Sequence, residues 1–395
     1  MGTLYPPRYL LTHSLRSRTI STTKSHDRGS IIGIDGLQAL IRRLRHDGFR
    51  TIGPTVRDGA ILYEDIESAD DLPIGWTDEQ EAGRYRLRRR DDQARFGYVV
   101  GPHALKRFLH PPKQPLWQAV KDGDDYAFEA ATVPERPFAF IGVRPCDIRA
   151  MTIQDRVFEE GAYADTHYQV RRTGAFIIAV NCAEAAPTCF CTSMGSGPKA
   201  ESAFDLALTE LDPAADHRFF VEIGSELGSD LLATLPHRKA TQADVDAASA
   251  VSARTAASMT RHMPDDVQNL LMRNLDHPRW DNVAERCLTC GNCTMVCPTC
   301  FCTEVDEDMT FDGEVIGRSR QWTSCFGIDF SYIHGGSIRH SARSRYRQWM
   351  THKLATWHDQ FGESGCVGCG RCITWCPVGI DITDEAKAIQ DSETA

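Results

Sequence analysis

The sequence predicts an α+β chain: a mixed α/β domain over residues 30–240, a helical connector over 241–280, and an α-helical domain over 281–395. Three features point that way. Strand-sized, almost unbroken apolar runs at Phe138–Val143 and Phe176–Val180 suit a buried sheet, since a strand covered on both faces needs no polar alternation. Helix-period apolar patterns precede and follow them. Of fifteen cysteines, eight fall in two runs of identical spacing in the last domain.

Residues 1–29 hold Arg8, Arg16, Arg18 and Arg28, many serines and threonines, and one acid, Asp27. The composition imitates an organellar transit peptide, but it lacks a long amphipathic apolar stretch, so a disordered extension is expected. Globular sequence begins near residue 30. Asp35 is placed to cap a helix with Leu37, Leu40, Ile41 and Leu44 on one face, ending near Gly48. Strands are expected at 49–52, 60–66, 95–100 and 219–223. The basic run 84–90 is followed at once by Asp91 and Asp92, and reads as a solvated, self-paired face. In the connector, Thr241 and Asp244 make a capping-box signature ahead of an alanine-rich helix. Pro264 interrupts it, and Asp265 is placed to cap a second helix bearing Val267, Leu270 and Leu271.

Cys287, Cys290, Cys293 and Cys297 precede Pro298, and Cys366, Cys369, Cys372 and Cys376 precede Pro377. Both runs read C-x2-C-x2-C-x3-C-P. A cubane iron–sulfur cluster has irons at the corners of a tetrahedron, each taking one soft thiolate, and this spacing puts three sulfurs on one concave surface. Gly291, Gly368 and Gly370 clear side chains there, and the closing proline turns the chain away. Zinc also uses CxxC pairs, but a third evenly spaced cysteine and a terminal Cys-Pro, twice over, favour two [4Fe-4S] clusters. The two runs are 68 residues apart, unlike the short separation of small bacterial ferredoxins. That organisation is similar to the α-helical ferredoxin domains of fumarate reductase-type subunits. By the usual exchange of fourth ligands, Cys287, Cys290 and Cys293 would share one cube with Cys376, and Cys366, Cys369 and Cys372 the other with Cys297.

Four further cysteines stand at the ends of buried-looking strands, where α/β folds build sites: Cys146 in Arg144-Pro145-Cys146-Asp147, then Cys182, Cys189 and Cys191. They are expected to hold a third cluster; the alternatives are zinc or inert buried thiols. Cys300, Cys302 and Cys325 are left over. The phrase Pro-Thr-Cys-Phe-Cys-Thr occurs at 187–192 and again at 298–303. A place packed beside a cluster, tuning its potential without binding iron, suits Cys300, Cys302 and Cys325 better than ligation does. The insert also carries Arg318, Arg320, Arg339, Arg343, Arg345, Arg347 and Lys353, read as a docking face, as neutralisers of anionic clusters, or as an ordinary solvated surface. Trp349, Trp357 and Trp375 suit core or cluster shielding.

Composition narrows the class. A net charge of −10 argues against nucleic-acid binding, and no apolar run approaches the ~18 residues of a membrane span. Thiols that hold iron must stay reduced, which implies the cytoplasm. No Rossmann fingerprint, paired nickel-binding CxxC motifs or Ser–His–Asp set is present, so the chain is expected to have no active site of its own.

The stretches Gly-Val-Arg-Pro-Cys-Asp-Ile-Arg-Ala at 142–150, Thr-Cys-Phe-Cys-Thr-Ser-Met-Gly at 188–195 and Cys-Gly-Asn-Cys-Thr-Met-Val-Cys-Pro-Thr-Cys-Phe-Cys at 290–302 resemble the β subunit of cytoplasmic group 3b nickel–iron hydrogenases, or sulfhydrogenases. Residues 324–336 and 365–381 fit as well, and the likeness runs from about residue 30 to 385. The electron-transfer subunit of anaerobic sulfite reductases shares the layout. The first resemblance implies a soluble four-subunit enzyme. This chain would relay electrons between a flavin subunit that handles NAD(P)H and the small and large nickel–iron subunits. Residues 1–29 depart from the pattern.

Overall fold

The computed structural model describes residues 29–131 and 136–393. The expected extension at 1–29 lies almost wholly outside them. Sixteen strands form among the described residues. Eight build the main sheet: β1 (Ser30–Gly33), β2 (Arg50–Arg57), β3 (Ala60–Asp65), β8 (Phe138–Val143), β9 (Phe176–Val180), β10 (Leu206–Leu211), β11 (Arg218–Ile223) and β12 (Arg238–Lys239), in the order β12-β1-β11-β10-β9-β8-β2-β3. The four central strands β10, β9, β8 and β2 run parallel, and antiparallel strands finish both edges. Every residue of β8 and β9 is buried, as their unbroken apolar composition requires.

One face of the sheet is covered by α1 (Ile34–His46), whose Leu37, Leu40, Ile41 and Leu44 are buried against Ile141, Ile178 and Leu208. The helix begins two residues earlier than expected. Gly33 is its N-cap and Asp35 sits in the first turn without capping, where a carboxylate still favours the positive end of the helix. The opposite face packs on α3 (Pro145–Phe158) and α4 (Thr166–Thr173). Before them in the chain, α2 (Lys106–Leu109) is a single turn.

Residues 95–100 are buried, as a strand would be, yet form none. The Glu210 carboxylate accepts the N–H groups of Arg95 and Phe96 at 2.7 and 2.9 Å, and Asp78 accepts that of Val99 at 2.7 Å. Side chains here replace the ladder that the apolar pattern suggested. The basic run 84–90 is paired, as expected, but mainly with β4 (Trp76–Glu81), the antiparallel partner of β5 (Arg84–Arg89): Arg88 meets Glu79 at 2.9 Å and Arg84 meets Glu81 at 3.5 Å.

A short helix, α5 (Glu226–Ala233), precedes β12. The connector then opens with α6 (Gln242–Ser258), where the reciprocal Thr241–Asp244 capping box is in place. The next helix, α7 (Val267–Arg273), takes Asp266 rather than Asp265 as its N-cap, and buries Val267, Leu270 and Leu271. Further helices follow: α8 (Arg279–Arg286), α9 (Asn292–Met295), α10 (Ala342–Thr351), a π-helical turn at His352–Thr356, α11 (Trp357–Phe361), α12 (Arg371–Thr374) and α13 (Ile382–Glu393). The long insert is not all helix. It contains the hairpin β13 (Thr303–Met309) and β14 (Val315–Trp322), and β14 pairs with β6 (Lys113–Asp122), which in turn pairs with β7 (Asp125–Ala130). A four-stranded sheet therefore stitches the insert to the first half of the chain.

Candidate metal centre

The two cysteine runs lie in loops that enter α9 and α12. Gly291 and Gly370 are the N-caps of these helices, with φ of 73° and 75°, a left-handed turn that L side chains resist. Cys287, Cys290, Cys293 and Cys376 line one solvent-open pocket, which Cys372 of the second run also borders, walled by Tyr346, Trp349 and Phe326. Backbone amides already point at its sulfurs: Thr289 N–H donates to Cys287 Sγ at 3.4 Å and Ile380 N–H to Cys376 Sγ at 3.3 Å. Cys376, from the second run, has thus crossed to the first run's sulfurs.

The reciprocal crossing is also present. Cys297 is an electrostatic neighbour of Cys366, Cys369 and Cys372. Gly368 N–H donates to Cys366 Sγ at 3.4 Å. The third expected group assembles at the ends of β8 and β9: Cys191 neighbours Cys182 and Cys189, and Cys146 neighbours Cys191. Cys369 neighbours Cys146, Cys189 and Cys191, while Cys372 neighbours Cys293. The three sulfur groups accordingly form one continuous row.

Burial pushes most of these thiols up, Cys189 and Cys366 to about 12, so a bare thiolate would be unstable there. A cation bound to the sulfur offsets that cost, and its binding expels the protons. Among the described residues no three His, Cys, Asp or Glu side chains gather closely enough to hold a single metal ion. Around the Cys287 group the thiols stand around a space rather than on a point. Soft donors around a space, with amides aimed at the sulfurs, fit an iron–sulfur cluster.

Comparison with known proteins agrees. Residues 286–380 match the family model described as 4Fe-4S dicluster domain. The chain is an iron–sulfur protein. Outside the dicluster domain the likeness continues: the chain is 27% identical, over 353 residues, to sulfhydrogenase 2 subunit beta of Pyrococcus furiosus, covering 87% of this chain and 94% of that one. Over most of its length it therefore resembles a hydrogenase β subunit.

Four charged groups around the dicluster domain escaped sequence reasoning as a set. Arg371, inside the second cysteine run, makes a fully buried two-pronged ion pair with Asp147 at 2.7 and 2.8 Å, and donates to the carbonyls of Gly101 and His103. It locks the second run against Cys146. Arg144, also buried, reaches the carbonyls of Phe96 and Tyr98 and lies beside Cys182, whose thiol it pulls down against burial. Their adjacency to cysteines was the available signal.

The other two are lysines. Lys353, 3% exposed in the π-helical turn, donates to Thr299 Oγ1 at 2.9 Å and Gly365 O at 3.2 Å, and is a charged neighbour of the Cys297 thiol. Cys300 and Lys353, with Thr299 at 3.2 Å, hold Cys297 well below the usual thiol range. Lys106 on α2 is buried too, and burial lowers it to about 8. No sequence pattern marked Lys106.

The arginines of the insert are largely spent within the chain. Arg318 pairs with Glu307 and Arg320 with Asp165, Arg343 meets Asp281 at 3.1 Å, and Arg345 and Arg347 donate to the carbonyls of Phe326 and Leu275. Trp349 and Trp357 are buried, and Trp375 stacks on Tyr85 with centroids 5.0 Å apart, all in keeping with core or shielding roles.

Proposed function

We propose that this chain is the electron-relay component of a soluble, NAD(P)-linked hydrogenase complex. It would link a flavin/NAD(P)H subunit to the small and large nickel–iron subunits and carry no active site of its own. Cys287, Cys290, Cys293 and Cys376 hold one [4Fe-4S] cluster, Cys366, Cys369, Cys372 and Cys297 a second, and Cys146, Cys182, Cys189 and Cys191 a third. The domain limits read from the sequence go with this assignment. When bound, the clusters supply one-electron transfer.

The chain's residues do the rest. Thiolates fix each position, amides of Thr289, Gly368 and Ile380 stabilise charge on the sulfurs, and Trp349, Tyr346 and Phe326 exclude water from one wall. The single observation that carries the proposal is the continuous row of three sulfur groups, which ends at the exposed Cys290. A contiguous row with an accessible end is what a conduit between two partner proteins needs. The name of the Pyrococcus relative supports hydrogenase partners. The net charge of −10 supports neither nucleic acid as a partner nor an anionic membrane surface. No helix of the described residues is long and apolar enough to cross a membrane, and reduced thiols suit a cytoplasmic setting.

Anaerobic purification of the complex tests this directly. Roughly twelve irons and as many sulfides per chain are expected, about four per cluster, with nickel in a co-purified partner. Sirohaem absorption in place of nickel would make the chain the electron-transfer component of a sulfite reductase. Zinc without acid-labile sulfide would end the relay account.

A further inference from the structure

Two lysines are buried among the described residues, and both close on the same few residues of the first cysteine run. Lys106 comes from α2, in the first half of the chain, and is 5% exposed. Its Nζ donates to the carbonyls of Thr294, Met295 and Cys300 at 3.5, 3.3 and 3.2 Å and lies 3.9 Å from the Trp322 ring centroid. Lys353 arrives from the π-helical turn and donates to Thr299 Oγ1 and to the carbonyl of Gly365, next to Cys366. The residues so contacted, 294–295 and 299–300, bracket Cys297, whose thiol is a charged neighbour of both lysines.

Neither lysine bonds to a carboxylate among the described residues. The acidic groups that act most strongly on Lys106 are the thiols of Cys300, Cys297 and Cys302, and on Lys353 those of Cys297, Cys300 and Cys366. The two cations also repel each other. Sealing both in one place is costly unless an anion stands beside them. A cluster carried on Cys297 and Cys366 supplies that negative charge.

The neighbouring sulfur groups have a different electrostatic setting. Beside the Cys146 group, Arg371 is already neutralised by Asp147, which leaves Arg144 next to Cys182. The Cys287 group opens to solvent, and Arg286 and Arg345, which act on Cys376 and Cys287, are not buried, so water and salt screen them.

We propose that Lys106 and Lys353 together make the second cluster, on Cys366, Cys369, Cys372 and Cys297, the first in the row to be reduced, so that the middle site stores the electron passing between the other two. Each electron taken up makes a cluster more negative by one charge, and two fixed cations in a poorly screened setting favour that state. This order builds on the reading of the chain as a three-cluster relay and adds which site fills first.

An EPR-monitored redox titration of the anaerobically purified complex tests it, as wild type, Lys106→Met, Lys106→Arg and Cys290→Ser. The signal that appears first as the potential falls should be unaltered in Cys290→Ser, which changes the exposed end of the row and a later signal. Lys106→Met should lower the midpoint of that first signal by about tenfold in equilibrium constant, 59 mV for one electron. Lys106→Arg keeps the charge and should return most of the shift. A midpoint that Lys106→Met leaves in place overturns the proposal, and so does a first signal that Cys290→Ser alters. Should Lys106→Met lose its iron, Lys353→Met decides: it must move the same first signal, and a shift confined to a later one overturns the order. Wild-type complex without acid-labile sulfide would instead sink the relay reading itself.

Discussion

At Gly368 two constraints coincide. Its φ of +62° is left-handed, and a Cβ there would stand 2.6 Å from the backbone carbon and oxygen of Phe190. The glycine looked from sequence like a gap cut for a cluster. The structure adds that it lets the first Pro-Thr-Cys-Phe-Cys-Thr copy lie against the second cysteine run. Gly368→Ala is therefore expected to cost about 1–3 kcal/mol, read as a lower thermal midpoint of the anaerobic protein. Lys353 decides a different property. Its ammonium is a charged neighbour of the Cys297 thiol in a buried setting, and a fixed positive charge favours the more negative, reduced state of whatever that sulfur ligates. Lys353→Met should lower one midpoint by roughly 60 mV or more, about a tenfold change for one electron, in an EPR-monitored redox titration. An unchanged set of midpoints would leave Lys353 a packing residue. In sequence it was one more base in a basic insert, and nothing local marked it as buried.

Among the elements, those with strong local signals came through and those held by distant groups did not. The strands at 138–143 and 176–180 were readable because a parallel strand covered on both faces is apolar throughout. Residues 95–100 share that pattern, yet the Glu210 carboxylate, more than a hundred positions away, takes their amides. The Thr241–Asp244 box was legible because both partners are local. Arg238, at 2.8 Å, holds the Asp244 carboxyl well below the usual carboxylate range. A depressed pKa contributes stability that is complete above the unfolded value and fades as pH falls through the folded one. Asp244→Asn should cost about 1 kcal/mol at neutral pH. Its gap from wild type should begin to close below roughly pH 4, where the unfolded carboxyl takes up its proton, and vanish only as pH falls through the lower folded value; urea titrations at several pH values would show this. A gap independent of pH would mean the cap works without its charge.

For the whole molecule, the buried Arg371–Asp147 pair is the joint between the sheet and the dicluster domain. Breaking it from one side leaves an uncompensated charge in the core, so Arg371→Met should destabilise by about 3–5 kcal/mol. Signals from the Cys146 group should be lost before those from the more distant Cys287 group. Equal loss of all signals would show that the joint holds the fold rather than the site. The sheet of β13, β14, β6 and β7 is a second joint, and it was invisible in sequence because its central β14–β6 pairing links residues nearly two hundred positions apart. The cysteine spacing by itself determined that this is an iron–sulfur protein with two cubane motifs, since three thiolates within seven residues are a local matter of loop geometry. Tertiary structure alone decided which distant sulfurs stand together, which cations are sealed beside them, and in what order the groups line up. Those depend on contacts between segments that the chain keeps far apart, and no spacing rule encodes them.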